Sequence, residues 1–286
     1  MRPCSASDQP AVDACASPLG KSVSYRDTYA PGLLYPIARR AKREELGLGD
    51  PLPFVGEDCW NAYELSWLAA GGKPEVAIGT FRVPAASPCL IESKSLKLYL
   101  NSLNQTHFDD LDQVRETIAS DLSRAAGARV EVALSLLRSR PERVFAYPEG
   151  VLLDTLEIDI DRYQLDPSLL CLRSGSEAVV RETVYSHLLK SNCLVTGQPD
   201  WGTLIVRYEG PAIDHESLLR YAVSYRMHDE FHEQCVERIF LDIMHRCRPD
   251  RLAVHARYTR RGGLDINPFR TTPGFAMADN LFEVRQ

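Results

Sequence analysis

Two stretches of the chain carry the same run of elements, and this repeat is the strongest constraint on its fold. In the first, residues 75–83 read as a strand and 92–99 as a polar connection. Leu111, Val114, Ile118 and Leu122 then fall at helical spacing, before a strand at 129–137. In the second, 202–208 reads as a strand and 216–221 as the connection. Val236, Ile239, Phe240, Ile243 and Met244 share one helix face, and a strand at 252–258 closes the unit. Glu-Ser opens each connection, at Glu92-Ser93 and Glu216-Ser217, and Phe108 matches Phe231 at the helix entrances. A repeated order of this kind is the trace of an internal duplication. The expected class is α+β, with strands flanking helical connections. The 286 residues divide on this reading into a flexible leader at 1–20, an N-terminal module at 21–150 and a C-terminal module at 151–286. Residues 21–60 place Pro and Gly among Tyr25, Tyr29, Tyr35, Phe54 and Trp60, which reads as an irregular extension on the first module.

Apolar residues make up 44% of the chain, enough to bury a core of useful size. The net charge of −6 gives no general attraction for nucleic acid or an anionic membrane, and no extended basic stripe is present. A small-molecule substrate is therefore expected, with no direct contact to nucleic acid. The N-terminal residues Met-Arg-Pro-Cys-Ser-Ala-Ser-Asp-Gln-Pro lack the apolar region of a secretory signal. No stretch approaches the roughly 20 apolar residues that span a bilayer. A cytoplasmic location is expected, and with it eight reduced cysteines, at 4, 15, 59, 89, 171, 193, 235 and 247. No CxxC pair points to structural zinc.

The segment Cys193-Leu-Val-Thr-Gly-Gln-Pro-Asp200 concentrates the chemistry. Gly197 and Pro199 forbid a continuous helix, so the segment reads as a loop that can turn Asp200 back towards the Cys193 sulfur. A cysteine is most often simply buried. Here its neighbours are polar, so a partly accessible thiol beside a carboxylate is expected, the pairing a thiol nucleophile needs. His232-Glu233 opens the second module's helix. Most such pairs are surface residues whose acid offsets the helix dipole. The functional reading makes Glu233 an acceptor for adjacent N–H and NH2 donors of a guanine-like ring. Glu92-Ser93-Lys94 is either a charged amphipathic segment or a site in which Glu92 takes a ligand N–H and Ser93-Lys94 a phosphate. Arg260-Arg261-Gly262-Gly263 is either a solvated basic turn or a phosphate cradle. With no GxGxxG or Walker motif, any nucleotide is held without a Rossmann or P-loop site.

Together these residues resemble the NADPH-dependent 7-cyano-7-deazaguanine reductases of queuosine biosynthesis, in their longer, two-module form. The stretches that carry the resemblance are 92–106 (ESKSLKLYLNSLNQT), 186–202 (SHLLKSNCLVTGQPDWG), 230–240 (EFHEQCVERIF) and 256–270 (ARYTRRGGLDINPFR), with YRDTY at 25–29 and YELSW at 63–67. The resemblance implies tandem tunnelling-fold modules, in which antiparallel sheets carry helices on one face, and assembly as a homodimer. It implies that Cys193 attacks the nitrile carbon to form a covalent thioimide, with Asp200 as proton donor. Two NADPH are then consumed in giving the aminomethyl product, and no metal is needed. By the same resemblance Ile91, Glu92, Ser93, His232 and Glu233 bind the substrate, and Ser93, Lys94, Arg261 and Gly262 bind NADPH.

Two further readings share the residues. A thiol-dependent nitrile or amide hydrolase uses the same nucleophile without NADPH, and a non-catalytic tunnelling-fold module uses none of this chemistry. Cys235, two residues after Glu233, is a candidate for a reversible disulfide that shields Cys193 from overoxidation.

Overall fold

The computed structural model describes residues 25–139, 145–175, 179–276 and 279–286; the leader expected at 1–20 lies outside them. The elements in chain order are β1 (Pro36–Ala38), α1 (Arg40–Glu45), β2 (Val55–Ala69), β3 (Pro74–Pro84), β4 (Cys89–Ile91), α2 (Ser93–Asn101), β5 (His107–Phe108), α3 (Leu111–Ala126) and β6 (Glu131–Leu136). They continue with β7 (Val151–Leu152), β8 (Val179–Asn192), β9 (Pro199–Pro211), α4 (His215–Ser224), α5 (His232–Cys247), β10 (Arg251–Tyr258) and β11 (Leu264–Thr271). The class is α+β, and the long strand pairs β2/β3, β3/β6, β8/β9, β9/β10 and β10/β11 are all antiparallel. No helix among the described residues is long and apolar enough to cross a membrane.

The chain divides into two compact units. The first holds Met1–Asp50, Glu57–Arg143 and Arg260–Ile266; the second holds Pro51–Gly56, Val144–Thr259 and Asn267–Gln286. In the first unit α2 and α3 bury Leu96, Tyr99, Leu100, Val114, Ile118 and Leu122 against Trp60, Ala62, Leu65 and Trp67 of β2 and Phe81 and Val83 of β3. Fully burying a side chain of the Leu or Phe class contributes about 1.5–3 kcal/mol, so this face dominates the unit's stability. Strand β2 keeps its apolar residues on that face by means of a bulge. Ala62 pairs Gly79 but Leu65 pairs Ala77, so Tyr63 and Glu64 together oppose one residue of β3. The second unit repeats the device. Ser186 pairs Leu204 and Leu189 pairs Gly202, which holds Val184, Ser186, Leu189 and Ser191 buried on one face. Its helix α5 packs on β10 and buries Val236, Ile239, Phe240 and Ile243.

The duplication is legible bond by bond. In the first unit Glu92 caps α2: Ser95 N donates to Glu92 Oε2 (2.8 Å), Ser95 Oγ donates to Glu92 O (2.7 Å), and Tyr35 N donates to Ser95 Oγ (3.0 Å). In the second Asp214 caps α4: Ser217 N donates to Asp214 Oδ1 (2.8 Å), Ser217 Oγ to Asp214 O (2.8 Å), and Cys171 N to Ser217 Oγ (3.2 Å). Tyr99 Oη donates to Asp121 on α3 (2.8 Å), and Tyr221 Oη donates to Asp242 on α5 (2.6 Å). A Pro-started 3-10 turn precedes each of these capped helices in the chain, Pro31–Leu33 before α2 and Pro167–Leu169 before α4. These bonds correct the register read from sequence. Glu92 corresponds to Asp214, and the α3 cap Asp110 corresponds to Phe231. The Glu-Ser and Phe108 matches are each two residues out, because the copies share the position at which each helix starts and not the identity of the residues there.

Two other expectations change. Residues 55–60, read as part of an irregular extension, begin the 15-residue strand β2. Cys89 is disulfide-bonded, against the reading of all eight cysteines as thiols.

Candidate active site

In the second unit the site grows from the β8–β9 hairpin. Only residues 193–198 form its loop, so Asp200, expected within a loop, is the second residue of β9 and pairs Ser191 directly across the hairpin. Cys193 closes the loop: its N–H donates to Gln198 O (2.8 Å), and its carbonyl accepts from Gly197 N (2.9 Å). Gly197 sits at φ 64, a conformation that costs a side-chain-bearing residue about 1–2 kcal/mol. The thiol is less accessible than expected, with 5% of Cys193 exposed.

A second segment is latched to the end of this hairpin. Asn192 N donates to His228 O (2.8 Å), Glu230 N donates to Asn192 O (3.0 Å), and Asn192 Nδ2 donates to Asp229 Oδ1 (2.9 Å). The latch delivers the N-terminus of α5 to the site. His232, its first residue, brings Nε2 to 3.2 Å from Asp200 Oδ2. The imidazole lies flat on the Tyr258 ring, with centroids 3.8 Å apart and planes at 10°. Its Nδ1 is buried with no hydrogen-bond partner among the described residues. Glu233 follows in the first turn of α5 and is buried, not a surface acid. Cys235, one turn on, is wholly buried. Burial pushes its thiol well up and Glu230 adds to this, while Ser191 and Tyr258 oppose it. At neutral pH it is a protonated thiol, and both Cys193 and Cys235 are free.

The first unit holds the other expected residues. Ile91 ends β4, and Glu92, Ser93 and Lys94 form the start of α2. Both Glu92 oxygens accept backbone N–H groups, from Lys94 (2.6 Å) and Ser95 (2.8 Å). Burial raises the Glu92 pKa, and these bonds and Ser93 pull it back. Arg261 and Gly262 lie in a tight turn in which Arg261 N donates to Leu264 O (2.8 Å) and Leu264 N to Arg261 O (3.2 Å). Gly262 and Gly263 have φ of 61° and 79°, the signature of a type I′ turn. The β2 bulge fixes this turn: Tyr63 N donates to Gly263 O (3.0 Å), and Lys97 Nζ bridges Gly262 O (2.6 Å) and Glu64 (3.0 Å). The Arg260 guanidinium lies 3.7 Å over the Tyr63 ring. A rigid glycine turn flanked by two arginines is a donor set that suits phosphate, so these residues fit a phosphorylated cofactor such as NADPH.

Sequence reasoning missed the supports of the site: the Asn192–Asp229 latch, the Tyr258 platform and the Lys97 bridge. Tyr258 was open to discovery as the last residue of an apolar strand; the latch was not, because it is built from polar residues in a loop.

A family model described as nitrile reductase, 7-cyano-7-deazaguanine-reductase N-term, matches residues 25–134, and one described as QueF-like protein matches 199–274. The NADPH-dependent 7-cyano-7-deazaguanine reductase of Aromatoleum aromaticum is 66% identical to this chain, covering 95% of it and 96% of the relative. The chain belongs to the 7-cyano-7-deazaguanine reductase family. Reductases of the same name from an Azoarcus species and from Dechloromonas aromatica are 64% and 62% identical, covering 97% and 95% of this chain and 98% and 95% of their own. A solved archaeosine synthase QueF-Like in the apo form is 18% identical, with a TM-score of 0.30 over 35% of this chain and 99% of its own. Against the reductase family models, Ile91, Glu92, Ser93 and Lys94 fall in the first match and Asp200, His232, Glu233, Arg261 and Gly262 in the second, while Cys193 lies between them.

Proposed function

We propose that the chain is an NADPH-dependent nitrile reductase that converts 7-cyano-7-deazaguanine to 7-aminomethyl-7-deazaguanine, a step towards the queuosine modification of tRNA. The observation that supports this reading most is the 3.2 Å approach of His232, at the start of α5, to Asp200 on the hairpin that Cys193 closes. In the proposed reaction Cys193 Sγ adds to the nitrile carbon, forming the C–S bond of a thioimide. Asp200 takes the thiol proton and returns it to the nitrile nitrogen, so the addition is balanced without an external acid. His232, bonded to Asp200, steadies the carboxylate through both transfers. Enclosure of the site keeps water from the imine-level intermediate.

NADPH, when bound, supplies hydride, and two are needed because nitrile to amine is a four-electron change. Ser93, Lys94, Arg261 and Gly262 hold the cofactor; Ile91, Glu92, Ser93, His232 and Glu233 hold the substrate. The buried Glu233 carboxylate takes adjacent N–H and NH2 donors of the deazaguanine ring, and an acceptor left unpaired by a wrong ligand costs about 1–3 kcal/mol. The chain works as two modules, 21–150 and 151–286, in a cytoplasmic homodimer that needs no metal and touches no nucleic acid.

Intact-protein mass spectrometry of wild type and Cys193→Ala, mixed with the nitrile in the absence of NADPH, tests the reading. An adduct of the full ligand mass on wild type alone is expected, followed by loss of 340 nm absorbance when NADPH is added. An adduct that turns over without oxidising NADPH would instead favour a hydrolase, and no adduct on folded wild type would leave a binding module.

A further inference from the structure

The proposed chemistry gives His232 a role but does not explain what holds its ring in place. As the first residue of α5 it follows Phe231, which makes no side-chain capping bond. Among the described residues its polar side-chain partner is Asp200. The rest of its placement comes from Tyr258, the last residue of β10, which is 1% exposed and lies parallel beneath the imidazole at 3.8 Å. Tyr258 in turn needs room. Its strand partner is Gly202, two residues after Asp200 and on the same buried face of β9. A Cβ at Gly202 would lie 3.2 Å from Arg257 O, 3.2 Å from Tyr258 Cδ1 and 3.4 Å from Cε1. The missing side chain is therefore the space across which the Tyr258 ring lies. Gly202, Tyr258 and His232 form a stack whose far end is set at Asp200.

We propose that Tyr258 is a positioning residue: through its ring, seated over Gly202, it fixes the His232 imidazole at the distance from which Nε2 meets Asp200. The inference rests on the nitrile-reductase reading for its kinetic consequence, but the placement it describes can be read without activity. The ring and not the hydroxyl does the positioning, so Tyr258→Phe retains the stack, Tyr258→Leu removes it, and Gly202→Ala displaces it without opening a cavity.

The experiment compares the four proteins by steady-state NADPH oxidation and by NMR of the His232 ring. A proton held over an aromatic face resonates upfield, so the His232 ring signals report the stack directly. Tyr258→Phe is expected within about threefold of wild type in kcat, with its upfield His232 signals kept. In Tyr258→Leu kcat falls by about 10- to 100-fold, the scale on which small misplacements act, while KM for the nitrile changes by less, and the upfield shift is lost. Gly202→Ala moves both readouts in the same direction by a smaller factor. Folded Tyr258→Leu with wild-type kcat overturns the proposal, since loss of the upfield shift follows there from removing the ring alone. Where Tyr258→Leu does not fold, Gly202→Ala with wild-type values overturns it. A wild type that oxidises no NADPH refutes the reductase reading instead, and the placement is then decided by the His232 signals of Gly202→Ala, which keeps the Tyr258 ring: unmoved signals overturn it.

Discussion

Asp121 and Asp242 stand at the same position in the two units, one on α3 and one on α5, yet their surroundings have diverged. Asp121 is buried and accepts from Tyr99 Oη (2.8 Å), Tyr29 Oη (2.6 Å) and Arg124 (3.0 Å). Burial and this carboxylate push the Tyr29 hydroxyl up to about 12. Asp242 keeps the bond from Tyr221 (2.6 Å), but burial raises its pKa despite the opposing pull of Tyr221, Arg238 and His245. An acid whose pKa is raised on folding binds more protons in the native state than in the unfolded one. Its contribution is therefore complete below the ordinary carboxylate range and is lost as pH rises through the native pKa. Asp242→Asn keeps an acceptor for Tyr221 and removes the titration. Thermal melts at pH 4, 5, 6 and 7 are expected to show the Asn variant gaining on wild type as pH rises. A difference that stays flat or shrinks counts against burial as the cause.

At the scale of elements, the type I′ turn at 261–264 is held by the β2 bulge as much as by its own glycines. A Cβ on Gly263 would fall 2.4 Å from Glu64 Cδ, at a φ of 79°. Gly263→Ala must therefore push the Glu64 carboxylate off Lys97 and hold a side chain at positive φ. This is expected to cost about 1–3 kcal/mol and to raise KM for NADPH by about tenfold or more, read by melting and by kinetics. Gly49→Ala, with nothing within 4 Å of the added carbon, is the control and should leave both unchanged. The same turn shows why some elements were legible in the sequence and others were not. Strand β10 reads as LAVHARY and is buried throughout, so its apolar run announces it. Strand β11 is equally buried but reads as LDINPFRT, with Asp265, Asn267 and Arg270 inside. Nothing local marks it as a strand, because its polar groups are satisfied by residues far away in sequence. Asp265 accepts from Asn61 (2.8 Å) and Tyr63, and Arg270 pairs with Glu237 (2.9 Å). Likewise β8 was passed over because its bulge at residues 187 and 188 breaks the alternation on which strand reading depends. Of the expected site, the residue types were readable from motifs, whereas the Asp200–His232 contact required the fold.

For the whole molecule, the duplication predicts how many reactive centres a chain carries. The hairpin that places Cys193 has a counterpart in the first unit, where Ala69 N donates to Lys73 O (2.9 Å) as Cys193 N donates to Gln198 O. The strand after each hairpin opens alike, with Pro74-Glu75 and Pro199-Asp200. The first copy thus retains a carboxylate in the place of Asp200 but has Ala69 for the thiol. Its α3 begins Leu111-Asp112 where α5 begins His232-Glu233. No imidazole stands there to steady that carboxylate. The remaining described thiols are poor substitutes. Cys59 is buried, Cys235 is pushed up by burial, and Cys247 is held at about 11. Cys171 is exposed, but it occupies the place of Tyr35 in the helix-capping network and has no hairpin carboxylate beside it. Saturating nitrile without NADPH is therefore expected to add one ligand mass per chain, and Ala69→Cys is expected to leave that count at one, since the carboxylate beside it has no imidazole to steady it. Two ligand masses on wild type would mean that the first unit keeps a working centre. Two on Ala69→Cys alone would mean that thiol and carboxylate suffice and that His232 is dispensable for addition.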